Sequence, residues 1–214
     1  TYKVIFWADN ENAPYTLNWV DEDENPNPTM TIDYRNVTCN NEDYDAFFNW
    51  MTIDVDAAKT VEIDLFRPFA QLNIGTSDIV QASQAGYTLQ QTQVKVKTYT
   101  TLNLWEKTVD GLTDVVVDFR ATDYPNYDAS AKYCLKASTV EGYETFPVQG
   151  YEYMAMTYLL RPMDKELADV EFLFYSTEDE LKERTYASVP LQRNWRTNIY
   201  GQLITSDVDV NVEI

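Results

Sequence analysis

An alternation of apolar and polar residues with a period of two constrains the fold of this chain more than any other feature. It is cleanest in the last segment, Ser206-Asp-Val-Asp-Val-Asn-Val-Glu-Ile214, where Val208, Val210, Val212 and Ile214 alternate with Asp207, Asp209, Asn211 and Glu213. A two-residue period puts all four aliphatic side chains on one face of an extended strand, and that face needs cover. The cover is either a sheet of the same molecule, which makes this an ordinary last strand, or a groove in a neighbouring molecule.

The same period recurs along the chain. Lys59-Thr-Val-Glu-Ile-Asp-Leu-Phe66 reads as a half-buried strand, and Gln93 to Trp105 as one long strand or two joined by a bulge, closed by a turn near Asp110-Gly111. Val115 to Phe119 follows. Gly150 to Leu160 and Val170 to Tyr175 are spaced like a hairpin across Arg161 to Glu166. Near the start, Tyr2-Lys-Val-Ile-Phe-Trp-Ala8 is apolar on both faces, which predicts a buried strand with neighbours on both sides. Tyr15 to Val20 and Thr29 to Tyr34 are further strands, and Asp45 to Asp54 is ambiguous in type. Arg67-Pro68 breaks one strand from the next, Phe69 to Ile74, as at an edge or a crossing between sheets. One helix is signalled, by Gly75-Thr-Ser-Asp78 before Ile79 to Ala85 and by Gly86 after it.

At least eight short strands and one short helix predict an all-β, Greek-key β-sandwich. Residues 1–205 form one principal domain, or two small sandwiches meeting near Arg67-Pro68. Residues 206–214 are then a terminal strand, either donated or leading into a further domain. Because Thr1 opens almost directly into strand-like sequence, it reads as a processed or truncated start.

Composition narrows function by exclusion. With 16 Lys plus Arg against 35 Asp plus Glu, the formal net charge is −19, so nucleic acid and anionic membranes are poor partners. There is no histidine, which removes the usual general base, the Ser/His and Cys/His pairs and His-containing zinc sites. No nucleotide-binding glycine loop, nucleophile elbow or paired-cysteine pattern occurs. The reading is therefore of a non-enzyme with no catalytic residue, no metal site and no cofactor. The acidic loop Asp21-Glu-Asp-Glu24 lacks the glycine and distal glutamate of a calcium loop and reads as a solvated turn. Cys39 and Cys134 are two isolated thiols or one disulfide. No apolar run approaches the roughly 20 residues of a membrane span.

Four stretches carry a resemblance: Val4-Ile-Phe-Trp-Ala-Asp9, Arg67-Pro-Phe-Ala-Gln-Leu-Asn-Ile-Gly-Thr76, Gly150-Tyr-Glu-Tyr-Met-Ala-Met-Thr-Tyr-Leu-Leu160 and Val189-Pro-Leu-Gln-Arg-Asn-Trp-Arg-Thr-Asn-Ile-Tyr-Gly201. Together they resemble the fimbrillin-type subunits of type V pili from gut and oral bacteria. That resemblance implies a transthyretin-like sandwich, lipoprotein export to the outer membrane and cell surface, and proteolytic removal of an N-terminal strand. It also implies a homopolymer formed by strand exchange, in contact with other pilus subunits and with host or bacterial surface ligands. On this reading Val208, Val210, Val212 and Ile214 are the candidate donor side chains. The competing class is a surface binding module for glycan or protein, with Tyr124, Tyr127 and Tyr143 in the irregular region as ligand contacts. A tip subunit would be both.

Overall fold

The structure, a computed structural model, describes residues 1–19, 27–36, 42–87, 89–120, 146–176, 179–206 and 210–214. In chain order the strands are β1 (Tyr2–Asp9), β2 (Tyr15–Asn18), β3 (Thr29–Ile32), β4 (Ala46–Ile53) and β5 (Phe69–Thr76). The helix α1 (Ile79–Gln84) comes next, followed by β6 (Leu89–Thr98), β7 (Thr101–Asn103), β8 (Val109–Asp110) and β9 (Thr113–Arg120). The last five are β10 (Glu152–Leu160), β11 (Glu166–Ser176), β12 (Asp179–Leu191), β13 (Arg196–Gly201) and β14 (Asn211–Glu213). They form four sheets, ordered β1-β4, β10-β5-β13-β14, β12-β11-β6-β9 and β2-β3-β7-β8. This is an all-β, sandwich-like fold with one short α-helix. Among the described residues all pairings are antiparallel except β5 with β13.

β5 is the centre of its sheet and every one of its residues is buried. Its two faces differ, as the two-residue period requires. Ala70, Leu72 and Ile74 lie on one side, while Gln71, Asn73 and Gly75 lie on the other. Burying polar groups is costly unless they are bonded, and here Gln71 Nε2 donates to Tyr158 Oη at 3.1 Å and Asn73 Nδ2 to Asn198 Oδ1 at 2.9 Å. Gly75 lies against the Phe146 ring, where a Cβ would fall 2.5 Å from a ring carbon. Pro68 precedes β5, so it removes no ladder hydrogen bond and the strand is central, not at an edge.

The helix begins at Ile79 as the sequence signals, but Asp78 does not cap it through its side chain. The fully buried Asp78 carboxylate instead accepts from Ile204 N at 3.1 Å, from Thr205 N at 2.6 Å and Thr205 Oγ1 at 2.8 Å, and from Thr76 Oγ1. It ties the helix start to the chain leaving β13. Two buried arginines make similar ties. Arg193 Nε donates to Arg161 O at 2.8 Å and its Nη1 to Lys107 O at 2.9 Å, while Arg161 Nη2 donates to Lys97 O.

Several expected strands are placed differently. Lys59 to Phe66 forms no strand; it is mostly exposed and meets β4 through the Phe48–Phe66 bridge and a hydrogen bond from Asn49 Nδ2 to Asp64 O at 2.7 Å. Its alternation is real, but only its end meets the edge of β4, and the contact stops at a single bridge without extending into a ladder. Gln93 to Trp105 divides at Tyr99-Thr100 into β6 and β7, which belong to different sheets. β10 and β11 are not a hairpin: β10 pairs with β5 and β11 with β6 and β12, so Arg161 to Lys165 carries the chain from one sheet to another. β1 pairs with β4 alone among the described residues, and both its ends are exposed.

Candidate functional site

The terminal strand is the first place to look. β14 lies at the edge of its sheet, aligned against β13 as Asn198↔Glu213, Ile199↔Val212 and Tyr200↔Asn211. All three of its residues are exposed. Val210, Val212 and Ile214 remain 38%, 41% and 41% accessible, so pairing with β13 leaves the aliphatic row only partly covered. The Tyr200 hydroxyl donates to the Glu213 carboxylate and so tethers the strand through a side chain. That bond, with burial and the negative charge beside it, pushes the Tyr200 pKa up to about 12. Val208 lies outside the described residues.

A second exposed apolar surface runs along β1. Tyr2, Val4 and Ile5 line a groove with Trp19, Val55 and Trp105, and Tyr2, Trp19 and Val55 are 63%, 53% and 67% accessible. Its aromatic wall is ordered. Trp50 and Trp105 meet edge to face with centroids 5.9 Å apart, and Trp50 Nε1 donates to Trp105 O at 2.7 Å. Lys3 Nζ lies 5.1 Å from the Trp50 ring centroid and 5.4 Å from that of Trp105, and Lys107 Nζ lies 5.7 Å from Trp50. Cations over aromatic faces are attracted to them, and here they make a basic spot on a strongly acidic protein.

Sequence reasoning missed this groove, because Tyr2, Trp19, Val55 and Trp105 come from four separate segments. The tyrosines proposed for ligand contact, Tyr124, Tyr127 and Tyr143, lie outside the described residues, as do Cys39, Cys134 and the acidic loop Asp21 to Glu24. Among the described residues no three acidic or cysteine side chains converge as a metal-binding group, and no helix is long and apolar enough to cross a membrane.

No curated protein matches the sequence. Among solved structures, the crystal structure of a candidate adhesin from Bacteroides ovatus aligns with 100% of this chain and 74% of its own, at 13% identity and a TM-score of 0.48. The family model that matches, over residues 1–214, is DUF6562, described as a family of unknown function, and the chain belongs to that family.

Proposed function

We propose that this protein is a structural subunit of a bacterial surface fimbria, supporting adhesion, in which the terminal strand of one molecule completes a sheet of the next. The observation that carries the reading is the half-covered row Val210, Val212 and Ile214 on an edge strand held by three residue pairs. Edge strands with an exposed apolar row usually carry a device against association, and the one charged residue of β14 is Glu213, which is taken up by the Tyr200 hydroxyl. Covering the rest of the row would contribute roughly 1 kcal/mol per side chain, before the cost of ordering the strand.

The groove along β1 is the acceptor in this reading. It offers a strand edge, an apolar lining and the cation Lys3, with Lys107 nearby over Trp50, to a segment carrying Asp207, Asp209 and Glu213. With a net charge of −19 on each molecule, two copies repel each other overall. A local basic spot would therefore fix where they meet, and salt would ease their approach. The resemblance to fimbrillin-type subunits supports the same arrangement and an exported, outer-membrane-associated location.

The test is assembly. The chain Thr1 to Ile214 at high concentration, followed by light scattering and negative-stain microscopy, is expected to form linear oligomers. Val212→Asp is expected to remain monomeric with an unchanged unfolding midpoint. A wild-type protein that stays monomeric under all conditions would refute strand donation by this terminus.

A further inference from the structure

A smaller recess lies between β5 and the turn joining β12 to β13. It measures about 210 Å³ and is lined by Arg67, Gln71, Tyr158, Asn194, Trp195 and Arg196. Trp195 is 53% accessible, yet it stands on a turn fixed to the rest of the fold. Asn194 adopts a left-handed conformation, φ 65°. Its N–H donates to Phe69 O at 2.9 Å and its Oδ1 accepts from Arg67 N at 3.0 Å, while Gln71 N donates to Trp195 O at 3.0 Å. The indole is thus an exposed flat plate on a backbone with little freedom. Such a plate loses little conformational entropy when a ligand stacks on it.

Below it, Gln71 is 6% accessible and its Oε1 has no hydrogen-bond partner. A buried acceptor left unbonded is destabilising and calls for a donor. The amide is already fixed at its other end, since Nε2 donates to Tyr158 Oη and that hydroxyl donates to Glu42. Charge around the recess balances. Arg67 holds Asp45 through two hydrogen bonds, of 2.7 and 2.9 Å, and the half-buried Glu42 carboxyl interacts electrostatically with Arg196. Burial holds Glu42 above the usual carboxylate range, against the opposing pull of the Tyr158 hydrogen bond. Neither a cation nor an anion is favoured.

An aromatic plate, planar amides and guanidinium donors, without net charge, match a ring that has an apolar face and an edge of hydroxyls. The volume lies below the ~300–1,000 Å³ of drug-sized sites, so the recess admits one ring and not a chain. We propose that this recess binds one neutral pyranose unit, stacked on Trp195 with its hydroxyls at the amides of Gln71 and Asn194. The proposal draws on none of Tyr124, Tyr127 and Tyr143, and it does not depend on strand donation.

The test uses the methyl pyranosides of glucose, galactose, mannose and N-acetylglucosamine. Each is titrated into the full chain and into Val212→Asp, so that the state of assembly does not enter, and binding is followed by calorimetry and ligand-observed NMR. At least one sugar is expected to saturate the protein, with affinity at least about fivefold lower in Trp195→Ala. Trp19→Ala, which removes another exposed indole, should bind as the parent does. Asn194→Gly keeps the left-handed backbone while removing one amide, and is expected to weaken binding too, which gives a second readout if loss of the indole disturbs the turn. Absence of saturation by all four sugars, equal affinity in Trp195→Ala and Asn194→Gly, or loss of binding in Trp19→Ala would each overturn the proposal.

Discussion

β5 and β14 flank the same strand, β13, and are opposites. On one side six residues of β13 pair with β5 in parallel, and every residue of β5 is buried; on the other side three residues pair with β14, and every residue of β14 is exposed. Both strands alternate. What separates them is what each face meets. β5 has Phe69, Leu72 and Ile74 in the apolar core, with Gln71 and Asn73 bonded to Tyr158 and Asn198. β14 is held by the Tyr200–Glu213 hydrogen bond at its edge and keeps an aliphatic row half in water. Hydrogen-bonded pairing alone therefore does not fix a strand's contribution; the cover over its side chains does.

Substitutions can break that contrast, in decreasing order of effect on the stability of the monomer. Leu72→Ala, at a fully buried position of β5, is expected to cost about 2–5 kcal/mol in chemical denaturation, the lost transfer energy plus a cavity. Gly75→Ala drives a methyl group into the Phe146 ring, which is itself packed against Tyr153 and Tyr200. It is expected to cost about 1–3 kcal/mol through overpacking. Val212→Asp should change monomer stability by no more than about 0.5 kcal/mol, because the side chain is already 41% accessible. A large loss there would mean that β14 is an integral part of the core, and the contrast with β5 would fail.

The smallest effect is one of pH. The folded Tyr200 hydroxyl has its pKa raised from 10.0 to about 12, so the neutral form is favoured when β14 is docked. The stabilisation is full below the unfolded value and is lost as pH rises through the folded one. The Val212 methyl NMR signals should move towards unstructured positions across that window, roughly pH 10 to 12. Tyr200→Phe should abolish the step. A step of equal size in Tyr200→Phe would assign the tether elsewhere.

The sequence made these strands visible to different degrees, for physical reasons. The β class, the helix at Ile79 and the strands Phe69 to Ile74 and Val115 to Phe119 were legible because period, length and punctuation agreed locally. Lys59 to Phe66 misled because alternation reports which face is apolar and not whether a partner edge exists. β12 went unread: its first half, Asp179-Glu-Leu-Lys-Glu-Arg184, is charged on both faces, and only pairing with β11 makes it a strand. The sheet changes at Tyr99-Thr100 and at Arg161 depend on contacts made far along the chain, among them the hydrogen bond from Leu160 N to Tyr34 Oη. Neither surface offered for binding could be read locally. The β1 groove and the Trp195 recess each gather residues that are distant in sequence, and the orphaned Gln71 oxygen exists only once β5 is buried.

The parallel pairing of β5 with β13 also governs the order of folding. Its partners, such as Asn73 and Asn198, are 125 residues apart, a long loop to close before the contact gives any return. In a chain synthesised from its N-terminus, β5 emerges long before β13. Its Phe69, Leu72 and Ile74 then wait on an incomplete sheet, with one backbone edge open to any passing strand. Folding should accordingly be slow and completed late, with the arrival of residues 196–201 as the closing step. Truncation before Arg196 should yield aggregates, measurable as light scattering during refolding, whereas truncation after Thr205 should spare the closing step and leave a soluble chain.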